Sequence, residues 1–75
     1  MTIRPDQIKD ARKLLGWSRT ELGKRVHVSA AAIGTIESGQ NRSERSLLAI
    51  KQAFEAGGVE ITLWGVRLRD DKARN

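Results

Sequence analysis

Apolar residues recur every three or four positions as far as Gly58 and every second position after it. Ile8, Ala11, Leu14 and Leu15 share one face of a helix that reads from Pro5 to Leu15. Pro5 suits a first turn, where its missing N–H has no helical partner to lose, and Asp6 favours the positive end of the helix dipole. Gly16 stops this helix. Ser18-Arg19-Thr20-Glu21 then reads as a capping box, the Ser hydroxyl accepting from the Glu21 N–H and the Glu21 carboxylate reaching back. Leu22 and Val26 follow at helical spacing and predict a helix from about Arg19 to Val26. After the turn His27-Val28, Ser29 caps a third helix, from about Ala30 to Ser38, with Ala32, Ile33 and Ile36 as its stripe. Gly39 stands at the left-handed position that ends it.

Ser43 caps a fourth helix with Glu44 in its first turn. Leu47, Leu48, Ile50, Ala53 and Phe54 line its buried side, and Gly57-Gly58 terminates it. From there the period changes. Val59, Ile61 and Leu63 alternate with Glu60 and Thr62; Val66 and Leu68 alternate with Arg67 and Arg69. Each run predicts a short strand, with Trp64-Gly65 as the turn. Residues 1–4 are a short arm and residues 70–75 a polar, frayed tail. The second and third helices, short and joined by a tight turn, make a helix-turn-helix, whose second helix enters the DNA major groove.

Composition narrows the possibilities. Seventy-five residues make one small core, burying roughly 60% of the unfolded surface. Fourteen Lys and Arg against nine Asp and Glu give a net charge of +5, which favours a polyanionic partner. The chain has no cysteine and one histidine, His27, so neither a disulfide nor a metal site is expected, and no cofactor. No apolar run approaches the roughly 18 residues of a membrane span and no leader is recognisable, so a cytoplasmic protein is expected. No paired acid and base, no nucleophile with a histidine and no phosphate-cradling glycine loop point to an enzyme or a small-molecule ligand.

The run Leu14–Gln40, through its spacing of Leu22, Val28, Ile33, Ile36, Glu37 and Gly39, resembles the Cro/phage-repressor (XRE) helix-turn-helix family. The likeness extends over about Ile3 to Gly58. It implies an all-α, lambda-repressor-like bundle of four to five short helices, here closed by a short C-terminal β segment, that binds double-stranded operator DNA as a homodimer. By position it implies a phosphate contact at Arg19, base-facing places at Ala30, Ala31, Gly34 and Thr35, and a backbone-following loop at Gln40, Asn41 and Arg42. It further implies a structural pair, Arg12 with Glu37. Departures are informative. Arg19 stands where glutamine is common, His27 where glycine is usual, and Gly23 where alanine is usual, the last implying close approach of the second and third helices.

The third helix is plain. Ala30 and Ala31 offer only methyl contact to thymine, while Ser29 and Thr35 can each make one hydrogen bond. Affinity must therefore rest on phosphates, through Arg19, Lys24, Arg25, Gln40, Asn41, Arg42, Ser43 and Arg45, with Arg4 reaching an adjacent minor groove. Residues 1–58 read as the DNA-binding domain and 59–69 as a strand segment for dimerisation. Pairing that segment with a twofold copy would bury Ile61, Leu63, Val66 and Leu68; the alternative is a strand folded back on its own helices with Trp64 over the core. Trp17 reads as core between the first two helices. The function expected is a transcription regulator, a repressor or controller, on a palindromic operator. The alternative is a helix-turn-helix protein-interaction module of antitoxin-like or anti-activator type, with a protein partner.

Overall fold

The computed structural model describes residues 2–69; the tail at 70–75 lies outside the described residues. Four helices, α1 (Pro5–Leu15), α2 (Arg19–Val26), α3 (Ala30–Glu37) and α4 (Glu44–Ala56), are followed by strands β1 (Val59–Thr62) and β2 (Gly65–Leu68). The expected class holds: a helical bundle with one short hairpin. Each helix begins and ends for a local reason. Ser18, Ser29 and Ser43 accept the N–H of Glu21, Ala32 and Ser46 at 3.0, 3.0 and 3.4 Å. The capping box at Ser18 is only half made, because the Glu21 carboxylate pairs instead with Arg25 one turn on, at 3.0 Å. α1 stops at Gly16 (φ 69°), and α2 stops at His27, the one non-glycine residue with positive φ (63°) among those described.

Ile3, Ile8, Ala11, Leu22, Ile33, Ile36, Leu47, Ile50, Phe54 and Val59 form the core. Leu14 and Leu48, expected inside, are exposed instead. At 3.6 residues per turn Leu14 lies about 100° from the Ile8–Leu15 line, and Leu48 about 100° from Leu47. Both sit on helix flanks that no neighbour covers. Trp17 is half-buried, and its partner is in α4: its ring stacks on Phe54 with centroids 5.7 Å apart, and the Arg25 guanidinium lies 4.1 Å over its face. Gly23 is buried against the α2–α3 turn, where a Cβ would run into the Val28 carbonyl oxygen. That close approach is the one expected of it.

The hairpin pairs Val59 with Leu68, Glu60 with Arg67, Ile61 with Val66 and Thr62 with Gly65. Its turn is Leu63-Trp64, one residue earlier than expected, because Thr62 organises it. The Thr62 hydroxyl accepts the N–H groups of Trp64 and Gly65, both at 3.2 Å. α1 holds the tip down. Gln7, buried among apolar neighbours, donates from Nε2 to the Thr62 and Gly65 carbonyls (2.5 and 3.2 Å) and accepts the Arg4 N–H (2.9 Å). Two corrections follow. Ile61, Val66 and Leu68 pack against the chain's own core, so the hairpin folds back, yet Trp64 does not cover that core: it is 90% exposed, and Leu63 79%. The short arm is also held down. Ile3 is buried, and Arg4 donates to the Leu63 carbonyl at 3.0 Å and pairs with Asp6, so it is not poised to reach into a groove.

Candidate nucleic-acid interface

Two buried isoleucines, Ile33 and Ile36, seat α3 on the bundle and thereby decide which residues face out. Ala31 and Thr35 are exposed, with Ser29 before them and Ser38 after; Ala30 and Gly34 are half-buried on the flank. All five positions expected to face bases therefore lie on or beside one face. Its polar groups are largely occupied. The Thr35 hydroxyl donates to the Ala31 carbonyl at 3.0 Å, the Ser38 hydroxyl donates to the Thr35 carbonyl at 2.8 Å, and Ser29 serves as cap. Self-bonding of this kind leaves few donors for a base edge.

The loop Gly39–Ser43 follows directly. Gly39 takes a left-handed φ of 83°, and Arg42 Nε donates to its carbonyl at 3.2 Å. The Asn41 side chain accepts the Ser43 N–H at 3.0 Å, which sets up the start of α4. Gln40, Asn41, Arg42, Ser43 and Arg45 are exposed, as is Lys24 on α2. Arg25 is exposed too, but already holds Glu21 and Trp17.

Beneath α3 lies the expected ion pair. Arg12 grips Glu37 with two bonds, Nε to Oε2 at 2.6 Å and Nη2 to Oε1 at 3.2 Å, and donates from Nη1 to the Trp17 carbonyl at 3.1 Å. The Glu37 side chain is 4% exposed. Burial pushes its carboxyl up, but the hydrogen bonds and charges of Arg12 and Arg19 outweigh that and hold it below its ordinary 4.5. Arg19 was not foreseen here: its Nε bonds Glu37 Oε1 at 3.1 Å. Its guanidinium lies against Gly34, 3.6 Å from where a Cβ there would stand. Gln7 was also missed, since a glutamine one turn into a helix reads as solvent-facing until the hairpin is seen above it.

Among the described residues no cluster of His, Cys, Asp or Glu could hold a metal, and no helix is long and apolar enough to cross a membrane. A small bundle that seats one capped helix on two isoleucines, with basic residues flanking its outer face, defines a DNA-binding helix-turn-helix domain. The family model described as helix-turn-helix matches residues 8–63, and the chain belongs to that family, of the Cro/repressor (XRE) type. It is a family of DNA-binding regulators and not of enzymes. No curated protein matches the chain.

Proposed function

We propose that this DNA-binding regulator acts in the cytoplasm as a dimeric repressor or controller on a palindromic operator. The observation that carries the reading is the outward face of α3, small and smooth, flanked by exposed Lys24, Gln40, Asn41, Arg42, Ser43 and Arg45. A helix without bulky side chains settles deep in the major groove, where Ala30, Ala31 and the Thr35 methyl meet thymine methyls. The flanking residues contact phosphates, so most of the affinity is electrostatic.

Two copies then stand about 34 Å apart, one per half-site. Of the four hairpin residues read as dimer contacts, Leu63 is the most exposed, while Ile61, Val66 and Leu68 are partly buried against the core. The dimer reading therefore moves to the hairpin tip. Next to Leu63, Trp64 lines a shallow groove of about 510 Å³ together with Leu14, Asp10 and Lys13. Asp10 and Lys13 carry opposite charges, and neither is ion-paired among the described residues. Such a patch suits a twofold copy of itself, Asp10 against the partner's Lys13. The same tip also suits a different protein partner, as in an antitoxin-like module.

Affinity for duplexes selected from a random pool, measured across salt concentrations, tests the reading. The expected result is an inverted-repeat site and a log–log salt slope of several units. Absence of binding to any duplex at low salt would refute it in favour of the protein-interaction module. Sedimentation of Trp64→Ser separates the dimer: the variant should fold normally and become monomeric. A wild-type monomer on and off DNA would discard the twofold contact.

A further inference from the structure

We propose that Arg19, standing on α2, is the residue that reads a base edge for α3, and that the base is guanine. The inference rests on the DNA-binding reading above and takes Arg19 out of the phosphate role that its position in the family implies.

Arg19 is held over the reading helix itself. A Cβ placed on Gly34 would touch its guanidinium: 3.6 Å to Nη1, 3.8 Å to Cζ and 4.0 Å to Nε. Gly34 adjoins Ala30 and Ala31, one turn back on the same side of the helix, and precedes Thr35. The guanidinium thus lies in ordinary contact with the spot where a side chain at residue 34 would begin, beside Ala30, Ala31 and Thr35. Few neighbouring groups compete with it. The alanines have no donors, and the Thr35 and Ser38 hydroxyls donate to their own helix.

Anchoring gives it direction. Nε donates to Glu37 Oε1 at 3.1 Å, and Glu37 is fixed from the other side by Arg12. This bond does not consume the end-on pair of η nitrogens, and the side chain is 51% exposed. Two parallel N–H donors match the O6 and N7 acceptors of guanine, the commonest specific contact of arginine in the major groove. Adenine offers an amino group where guanine offers O6, and would set donor against donor.

The ion pair with Glu37 also favours a base over a phosphate. A phosphate draws arginine by net charge, and Glu37 already neutralises part of that charge. A base edge draws it by donor geometry, which a fixed guanidinium presents with little rotamer entropy left to lose.

Selection from a random duplex pool, run with wild type, Arg19→Lys, Arg19→Ala and Gly34→Met, tests the assignment, with affinities then measured on the winning site across salt. Wild type should require guanine at one position of each half-site, and replacing it should weaken binding roughly 10-fold or more. Arg19→Lys keeps the charge but lacks the rigid fork, so it should weaken that guanine preference while its salt slope stays within half a unit of wild type. Arg19→Ala should bind guanine and substituted sites alike. Gly34→Met keeps Arg19 but sets a long side chain against its guanidinium, and should lose the same preference with helix content unchanged by circular dichroism.

Uniform weakening of all duplexes by Arg19→Ala, with a salt slope lower by about one unit, would make Arg19 a phosphate contact and overturn the proposal. So would retention of the full guanine requirement in Arg19→Ala or Gly34→Met, or its absence in wild type. Wild type selecting no duplex at all would instead remove the DNA-binding reading beneath it.

Discussion

Glu37→Gln is the most informative single change to stability. The substitution keeps the shape and removes the charge that Arg12 and Arg19 share. The amide NH₂ replaces one carboxylate oxygen and meets a guanidinium N–H, donor against donor. Breaking a fully buried pair leaves an uncompensated charge and costs about 3–5 kcal/mol. Here the Glu37 side chain is 4% exposed, but that of Arg12 is 14% exposed, and Arg12 keeps its bond to the Trp17 carbonyl. Some water therefore reaches the orphaned guanidinium, and about 2–3 kcal/mol is expected at pH 7. That is a large share of the roughly 4–11 kcal/mol that a chain of 75 residues commands. The effect should also depend on pH. The folded carboxyl titrates below its ordinary 4.5, so its stabilisation is complete above that value and is lost as pH falls through the folded pKa. The variant has no such group. Urea denaturation of both proteins at pH 7 and pH 3, followed by circular dichroism, should show a gap at pH 7 that narrows at pH 3. A loss under about 0.5 kcal/mol at pH 7, the range of ordinary surface changes, would refute the reasoning, as would a gap that ignores pH.

Three other substitutions probe separate features. Gly23→Ala should destabilise by about 1–3 kcal/mol in urea denaturation despite alanine's better helix propensity, because its Cβ meets the Val28 carbonyl and not a side chain that can move aside. Gly34→Ala should do the reverse and stabilise by up to about 1 kcal/mol, since its Cβ would make only ordinary contact with Arg19 at 3.6 Å; a lower melting temperature would contradict this. Arg42→Ala should weaken specific and random duplexes about equally and lower the salt slope by about one unit, whereas a loss confined to one sequence would show base reading instead.

Serine caps, terminal glycines and apolar spacing act within one or two turns of chain, so the helix boundaries were legible to within a residue. The Arg12–Glu37 pair was legible as well, but only through the family resemblance. What failed was whatever depends on a distant segment. Leu14 and Leu48 carry the right residue type at helical spacing, and only the packing of neighbouring elements shows that their flanks are uncovered. Ile3 and Arg4 look like a short arm until the hairpin places carbonyls and a buried surface above them. Gln7 is the hinge of that arrangement, and nothing near it in sequence announces 55 residues of separation to Thr62. The alternation held for Val59, Ile61, Val66 and Leu68 but not for Leu63 in the turn, and it says which residues share a side and not whose core receives them. The sequence by itself determined the local chemistry of this protein: capped helices, a left-handed stop at His27 and a basic surface around a smooth helix. Only the tertiary structure decided that the Arg19 guanidinium lies against Gly34 and bonds Glu37, because these are contacts between helices, and packing alone brings those helices together.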